Sequence, residues 1–594
     1  MRLNLISRWE LWKNEDLKND VNVPASVPAF LEIEKSGLPF LTTSGLLRTE
    51  DYHHVWDKSF LTTWNGVRQS LQKEPPDGPN IILAHAYSLF VMQSQVLTVE
   101  RFLEICAERH GVDSIRIESP ESFPDNSSLV FEGLQTAYYH VVAVHWARQK
   151  GLTHSVISNG RHPLIFPPQT REGSARKFRA GLIFTGESLI SFAKISWYFL
   201  RGGRRLIFYT PFATAGLPSR NNPGYAVNIK LLFNCLALLD FFLRGKPANG
   251  PTDPPVLSIS EYHPLVQRRL TNYLKSCHPA GSLVFHRLLG FLTRLRQRGI
   301  QTGYASITPF RATGMSGYIA GAFRKAGCPV ASVQHGGNSR LAKRGGLGTL
   351  FADLLETTFV QWGHAATDEH TFYGVPYPVR SITTGSPWMR RCQTKRTIAS
   401  GRRPSRILYA PTALTVESTP GNNIVWDRYI QVFRAVCAIL NDSEHECVVK
   451  TMSTPEMSFF GPSGYPRLKF LREGGFVQSM WDADYLVVDS LGGSPIYEGL
   501  VTDKPILLYT GIENQEWDEA FLARLKESVV CFFDPRSYLD GLKEFVAAPE
   551  VYLRKAKLKP RTALVQDYLT PVSPRQFWAS LKTGLFRQVP TDLA

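Results

Sequence analysis

The strongest pattern for ligand binding is DSLGGSPIYE at residues 489–498, which follows the apolar run YLVV. Its two glycines permit a ligand to approach the backbone closely. Ser494 followed by Pro495 is typical of a helix start, where unpaired N–H groups favour phosphate, so Gly493 and Ser494 are candidate phosphate contacts. Glu498 lies on the same helical face as Ser494, where its carboxylate would accept hydrogen bonds from ribose hydroxyls. The alternative is an ordinary capped helix with a glutamate near its positive end.

Two other strand-like runs end in residues that suit the same ligand. Thr412 closes ILYAPT and offers a hydroxyl to a phosphate, and Lys450 closes HECVVK and offers an ammonium group. Ligands of open parallel sheets bind at the carboxyl ends of the strands. We therefore predict that Thr412, Lys450, Gly493 and Ser494 converge on the phosphates of one ligand. A solvated lysine is the alternative for Lys450.

The motif Gln334-His335-Gly336-Gly337 ends another apolar run, CPVASV. A histidine in this position can act as a general base for a hydroxyl group or donate a hydrogen bond to a phosphate. We predict His335 as the catalytic residue, with Gln334, Gly336 and Gly337 supporting the loop. The alternative is a structural histidine in a glycine-rich loop.

Other polar residues fit a catalytic role less well. Asp482-Ala483-Asp484 has the DxD pattern of metal–nucleotide sites, but it precedes a strand-like run instead of following one. We therefore predict no metal site, and zinc-ligand spacing, a P-loop and a GxSxG elbow are also absent from the sequence. His85, Glu100 and Arg101 lie at or after an apolar run that begins at residue 79 and is interpreted as a strand. For these three we favour a structural role over acceptor contacts.

Short apolar runs alternate with helical patterns in two regions of the chain, which indicates a layered α/β architecture. The predicted fold is two Rossmann-type domains whose parallel sheets face a central cleft, the GT-B arrangement of glycosyltransferases. The predicted boundaries are an N-terminal extension at 1–75, a first Rossmann-like acceptor domain at 76–390 with an irregular insertion at about 170–300, a basic linker at 391–406, a second Rossmann-like nucleotide-donor domain at 407–565, and a C-terminal helix at 566–594 that packs back.

Composition excludes several classes of protein. The 594 residues are 43% hydrophobic and 20% charged, unlike a disordered chain, a coiled coil or a collagen. The net charge of +16 favours a polyanionic partner: nucleic acid, an anionic membrane or a phosphate-bearing substrate.

The apolar runs at 189–200 and 227–243 are too short and too charged to span a membrane. The eight cysteines form no CxxC pair, and no signal peptide is visible, which predicts reduced thiols in a cytoplasm.

The pairing of Gln334-His335-Gly336-Gly337 with Gln361-Trp362-Gly363 resembles a bacterial family of transferases encoded among O-antigen and surface-polysaccharide genes. The likeness covers about residues 80–590, and the middle of the chain matches poorly. The C-terminal half is also similar to the group that holds CDP-glycerol glycerophosphotransferases, capsule Kdo transferases and polysialyltransferases. The similar pieces are ILYAPT, the strand that ends in Lys450, and the loop that leads to Ser494 and Glu498.

One departure from that group concerns the donor. The group typically follows the lysine with His-Pro, whose histidine contacts the donor phosphate. In this chain Lys450 is followed by Thr-Met-Ser-Thr-Pro at 451–455. A different nucleotide, or phosphate binding through Ser453, Thr454 and Ser494, therefore remains open.

The resemblance implies a metal-independent transferase, without a cofactor, that moves a sugar from a nucleotide-sugar donor, CMP-linked sugars among them, to a growing O-antigen or capsule. Its expected partners are this donor and a lipid-linked or polysaccharide acceptor, with no nucleic acid. The expected location is the cytoplasm, in peripheral contact with the anionic inner face of the bacterial inner membrane. A CDP-polyol phosphotransferase and a non-catalytic GT-B-like scaffold of a polysaccharide assembly complex are the alternatives.

Overall fold

The computed structural model describes most of the chain. The described residues are 1–6, 11–13, 15–25, 27–72, 79–118, 135–157, 193–210, 223–229, 261–307, 315–334, 341, 357–363, 380–393, 405–412, 426–451, 464–511, 516–549 and 558–587. His335, Gly336, Gly337, Ser453 and Thr454 lie outside these residues.

Strands and helices alternate along most of the described chain. The strands are β1 (Arg2–Ile6), β2 (Val21–Pro24), β3 (Ser114–Ile117), β4 (Thr153–Val156), β5 (Arg205–Tyr209), β6 (Ala226–Asn228), β7 (Gln301–Ile307), β8 (Val330–Val333), β9 (Thr358–Gln361), β10 (Arg380–Thr383), β11 (Arg406–Ala410), β12 (Glu446–Lys450), β13 (Lys469–Leu471), β14 (Tyr485–Val488), β15 (Ile506–Tyr509) and β16 (Val530–Phe532). The helices are α1 (Val27–Ser36), α2 (Thr43–Leu46), α3 (Thr49–Gln72), α4 (Ile81–His110), α5 (Gln135–Gln149), α6 (Pro264–Gln297), α7 (Met315–Lys325), α8 (Pro387–Gln393), α9 (Trp426–Asn441), α10 (Phe476–Asp482), α11 (Ser494–Leu500), α12 (Glu519–Ser528), α13 (Pro535–Ala547), α14 (Leu558–Tyr568) and α15 (Pro574–Leu585).

The strands form three sheets in which the paired strands run parallel. A four-stranded sheet has the order β2-β1-β3-β4, and two six-stranded sheets have the orders β10-β9-β8-β7-β5-β6 and β13-β12-β11-β14-β15-β16. The two larger sheets confirm the predicted α/β fold with two Rossmann-type units. No helix of the described residues is long and apolar enough to cross a bilayer.

The small first sheet was not predicted. Its strands β1 and β2 come from residues 1–75, the segment interpreted as an extension. Strand β1 pairs with β2 on one side and with β3 on the other, and β3 pairs with β4. RLNLI and VNVP are short, and their polar Asn4 and Asn22 are buried, where the two amides bond to each other at 3.0 Å. Burial of these asparagines breaks the apolar pattern by which a buried strand is recognised.

The apolar run at residue 79 is the start of a helix, so its interpretation as a strand was wrong. Helix α4 is 30 residues long and packs against α3, α5, α6 and α7. Helices on several sides bury apolar residues around much of its circumference, including Leu89, Phe90 and Met92 in succession. Such a run cannot be distinguished from a buried strand by periodicity alone.

The second sheet takes part of its structure from the segment interpreted as an irregular insertion. Strands β5 and β6 and helix α6 all come from about 170–300. Helix α15, at the C-terminal end, covers one face of this sheet with Phe577, Trp578, Leu581 and Leu585. A capping box between Ser573 and Gln576 begins this helix.

The chain crosses from the second sheet to the third around Ser386 and returns around residues 570–572. These two segments, called the passages below, lie side by side. Ser386, just before α8, donates its N–H to the Thr570 carbonyl at 2.8 Å, and Val572 donates to the Ser386 carbonyl at 3.2 Å. Of the predicted linker, residues 391–393 end α8 and Arg406 begins β11. Cys392 is buried with Met389 in the core of the third sheet, so this part of the basic segment is packed.

The third sheet has an apolar core on each face. Alternate residues of β11 divide between the cores, with Leu408 on one face and Tyr409 on the other. The central strands β14 and β15 are buried along their whole length, as is typical of a parallel sheet covered on both sides.

Gly385 is required where the two passages meet. Its φ is +76°, and a Cβ there would meet the Thr570 carbonyl oxygen at 2.8 Å and the Val572 side chain. Gly474 has a similar φ of +80° with open space around it. We expect Gly474→Ala to lower the free energy of unfolding by about 1 kcal/mol through backbone strain. Gly385→Ala should cost roughly 2 kcal/mol more, because overpacking is added.

Urea denaturation of both variants measures these costs. If both variants lose the same free energy of unfolding, residues 570–572 can move aside for the alanine side chain. That result would contradict a tight pairing of the passages.

Candidate functional site

The candidate site lies where the third sheet reverses its strand order. From β11 the chain proceeds outward to β12 and β13, and then returns to β14 on the other side of β11. Ala410 at the end of β11 is directly opposite Val488 at the end of β14. Ligands of open α/β sheets bind in the crevice at the carboxyl ends of the strands, at such a point of reversal.

Asp489 bridges this crevice at its base. Its carboxylate is fully buried and accepts hydrogen bonds from the Tyr409 hydroxyl and from the Thr412 N–H, both at 2.6 Å. The Tyr429 hydroxyl donates to the Thr412 carbonyl at 2.7 Å. The backbone of Thr412 is therefore held on both sides, and the loop after β11 is fixed to the end of β14.

Burial and the nearby carboxylate keep the phenols of this cluster neutral. The pKa of Tyr409 is raised well above its ordinary value, first by burial and then by the charge of Asp489. The same two causes raise the pKa of Tyr429. Neutral phenols are hydrogen-bond donors, which is what a buried carboxylate requires.

The loop after β14 is held by its own hydrogen bonds. The Ser490 hydroxyl accepts the N–H of Gly492 at 3.0 Å, and the Tyr497 hydroxyl donates to the Leu491 carbonyl at 2.9 Å. Helix α11 begins one residue earlier than predicted, with Gly493 as the N-cap residue and no side-chain cap. Ser494 is exposed in the first turn.

Glu498 points into the protein, toward the passage between sheets. It is 4% exposed, and it accepts hydrogen bonds from Nε1 of Trp388 at 2.7 Å and from the Ser494 hydroxyl. Burial raises the pKa of this carboxyl, and the two hydrogen bonds lower it by less. Trp388 lies on α8, so this bond joins the first passage to the candidate site.

Lys450 is at the predicted strand end, but its ammonium group is engaged. The side chain is buried, and Nζ donates to the carbonyls of Thr451, Leu471 and Arg472 at 3.1, 3.4 and 3.3 Å. Burial lowers the pKa of this lysine. The three carbonyls join the ends of β12 and β13, so Lys450 has a structural role whether or not it also contacts a ligand.

In the second sheet, Gln334 connects two parts of the resemblance. Its side-chain oxygen accepts the Trp362 N–H at 2.8 Å, and it is buried at the end of β8. The backbone of Gly363 lies against the Asp567 carbonyl, where a Cβ would overlap it. Gln334, the residue before His335 in the chain, is at the carboxyl edge of this sheet.

The DxD residues lie at the other edge of the third sheet. Asp484 accepts the N–H of Arg406, the first residue of β11, at 2.8 Å. Carboxylates at the amino edge are remote from the crevice at the carboxyl edge. Within the described part of the chain, no three His, Cys, Asp or Glu side chains are grouped to hold a metal ion.

Helix α4 carries the three residues considered for acceptor contacts. His85 is buried inside a helical cluster, where burial and then the charge of His278 lower its pKa to about 4. Glu100 accepts a hydrogen bond from His263 Nε2 at 2.9 Å, because Nδ1 of this ring accepts the Leu265 N–H, and Arg101 donates to Asp51 at 3.0 Å. Their placement after a strand was wrong, and these contacts are those of a structural core.

Sequence reasoning missed the partners of the site residues. Tyr409, Tyr429 and Trp388 look like ordinary core aromatics in the sequence. One signal was available for the first of them: Asp489 directly follows four apolar residues, and a carboxylate at the end of a buried strand needs a donor.

No protein-family model matches this chain, and no curated protein is similar to it. Among solved structures, it is similar to sucrose-phosphate synthase from Thermosynechococcus elongatus, with a TM-score of 0.35 and 10% sequence identity. The match covers 64% of this chain and 97% of that chain.

The Asp489 cluster predicts an order of stabilities. We expect Asp489→Asn to lower the free energy of unfolding by about 2–3 kcal/mol, since the two donors bind different carboxylate oxygens and an amide offers an oxygen to only one of them. Tyr409→Phe should cost less, and Tyr429→Phe, which removes a bond to a neutral carbonyl, about 1 kcal/mol. Urea denaturation tests this, and an Asp489→Asn variant as stable as the wild type would refute the bridge.

Glu498 predicts a pH dependence. Because burial raises its folded-state pKa above the unfolded value, its contribution to stability is present at low pH and is lost as pH rises through the raised pKa. Glu498→Gln keeps a neutral acceptor for Trp388, so the variant should become more stable than the wild type as pH rises above the ordinary glutamate pKa of about 4.

Thermal unfolding across this range measures the difference, with the exposed Glu519→Gln as the control for loss of one carboxylate. A Glu498→Gln variant that is less stable than the wild type at the upper end would contradict the prediction.

Proposed function

We propose that this chain is a GT-B-type glycosyltransferase that moves a sugar from a nucleotide-sugar donor to a growing cell-surface glycan such as O-antigen or capsule. The observation that carries the proposal is the reversal of strand order between β11 and β14, where Thr412 and the 489–494 loop share one crevice. The resemblance of the QHGG and QWG segments to surface-polysaccharide transferases supports the glycan class.

The donor phosphates would bind to the two loops at the crevice. Gly493 admits the ligand to the backbone, and the hydroxyls of Ser494 and Thr412 donate to phosphate oxygens. Lys450 would contribute its charge from the neighbouring strand end, because its N–H groups are occupied by carbonyls. Hydroxyl groups and a fixed positive charge stabilise a leaving phosphate, and on this proposal neither a metal nor another cofactor is needed.

Glu498 would bind the ribose hydroxyls. In the structure its carboxylate accepts hydrogen bonds from Trp388 and Ser494. The donor would replace the Trp388 bond with bonds from ribose hydroxyls, and that exchange would release the α8 segment. Burial disfavours the ionised form of this carboxyl. Hydrogen bonds donated by ribose hydroxyls would favour the ionised form and so lower its pKa.

His335 would act on the acceptor side as the general base or as a donor to the leaving phosphate. Its support would come from Gln334, whose bond to Trp362 joins the strand ends of β8 and β9, and from Gly336 and Gly337. The acceptor would be a lipid-linked or polysaccharide glycan.

Nucleotide-dependent stabilisation tests the donor site. A ligand at a hundredfold excess over its Kd stabilises the folded state by about 2.7 kcal/mol, so CMP, CDP or UDP should raise the melting temperature. We expect Ser494→Ala to weaken this response by about tenfold in ligand concentration, the loss of one hydrogen bond to a charged group. Ser537→Ala is the matched control, in the first turn of α13 beyond β16, two strands away from β14.

The identity of the stabilising nucleotide separates the alternatives. A response confined to CDP, with glycerol phosphate transferred to an acceptor, would favour the polyol phosphotransferase. No response to any nucleotide, with glycan affinity retained, would favour the non-catalytic scaffold. If His335→Ala and Glu498→Ala both leave glycan assembly intact in a complementation assay at normal protein levels, the transferase proposal fails.

A further inference from the structure

The two most exposed large apolar side chains of the described residues are close together. Trp197 is 58% exposed and Leu200 is 80% exposed, on the helical segment 193–200. At a spacing of three residues the two lie on neighbouring positions of one helical face. The Arg201 guanidinium lies over the Trp197 ring, 4.6 Å from its centroid, so a charge and an aromatic surface are presented together.

Exposed arginines follow this pair in the chain and occur on two further segments. We define the basic–aromatic edge as the exposed residues of these three segments: Trp197, Leu200, Arg201, Arg204, Arg205, Arg294, Arg298 and Arg587. The segments that contribute them, 193–205, 294–301 and 582–587, contain no Asp or Glu. The edge therefore has a positive charge that its own segments do not neutralise.

Backbone pairing joins two of the three segments at the amino end of the second sheet, and a side-chain contact adds the third. The N–H of Gln301, at the start of β7, donates to the Arg204 carbonyl at 2.8 Å. Arg205, at the start of β5, donates to the Gln301 side chain at 2.9 Å, and its guanidinium lies 5.6 Å from the ring centroid of Phe586. The edge is thus opposite the carboxyl edge to which Gln334 belongs.

We propose that the basic–aromatic edge binds the surface of an anionic lipid bilayer. Trp197 and Leu200 would insert at the level of the headgroups, where tryptophan is favoured, and the arginines would bind anionic headgroups. A nucleic acid would also bind the arginines through its phosphates, but it offers no apolar phase in which the exposed Leu200 side chain would be buried. Because the basic–aromatic edge is at the amino end of the second sheet, membrane binding would leave the carboxyl edge of that sheet accessible.

Vesicle flotation of the full chain tests this proposal. Binding is expected to vesicles of phosphatidylcholine with about a third phosphatidylglycerol, and not to phosphatidylcholine alone. It should weaken as salt rises, because surface charges are screened. Arg201→Gln with Arg204→Gln should lower the partition coefficient roughly twentyfold, at about fivefold for each arginine near the surface.

Matched variants separate charge from insertion. The control for the arginines is Arg536→Gln with Lys543→Gln, on exposed positions of α13. Trp197→Ala with Leu200→Ala should lower binding on the order of tenfold through lost burial. Its control is Leu61→Ala, at a residue 51% exposed on α3. All these side chains are at the surface, so circular dichroism and melting temperatures should stay unchanged.

Three results would overturn the proposal. One is an absence of binding to anionic vesicles. Another is duplex DNA or RNA binding that matches vesicle binding in affinity and is indifferent to Trp197 and Leu200. The third is self-association that disappears in the Trp197→Ala, Leu200→Ala variant, which would identify the edge as a contact between copies. None of these depends on nucleotide binding or glycan transfer, so the proposed function is tested separately.

Discussion

Parallel pairing of strands is the constraint on which the rest of this structure depends. Parallel neighbours cannot be joined by a hairpin, so each connection must cross over a face of the sheet, and all the strands end at the same edge. In the third sheet the order reverses between β11 and β14. Backbone pairing ends at Ala410 and Val488, and beyond these residues Asp489 continues the connection. One carboxylate thus holds the two strand ends together at the point of reversal.

Three ionisable groups at this edge are stabilised in different ways. Asp489 takes its donors from Tyr409 and the Thr412 backbone, whereas Lys450 donates to three carbonyls. Glu498 accepts from the Trp388 indole and the Ser494 hydroxyl, and burial raises its pKa despite these two bonds. A carboxyl held in this way costs stability when it ionises, and a ligand with further hydroxyl donors would recover that cost. Of the three, Glu498 has most to gain from a ligand.

The sequence predicts the strand ends of the third sheet well, because Thr412, Lys450 and Asp489 each follow a short apolar run. It predicts poorly where burial, and not local pattern, decides the structure. Helix α4 is packed on several sides and so resembles a strand in its first turns, and β1 and β2 bury asparagines that pair across the sheet. The partners Tyr409 and Trp388 come from distant segments, 80 and 110 residues from Asp489 and Glu498. Spacing along the chain holds no information about such contacts.

The bond between Trp388 and Glu498 connects the candidate site to the passage between sheets. Trp388 is three residues beyond Gly385, where the outgoing and returning chains are paired and a side chain would not fit. Movement of α8 would therefore act on the Thr570–Val572 segment, and through it on α15, which covers the second sheet. A donor that takes Glu498 from Trp388 would change the contacts of both six-stranded units at once. Coupling of this kind is reciprocal, so closure of the units about the passages would in turn alter the affinity for the donor.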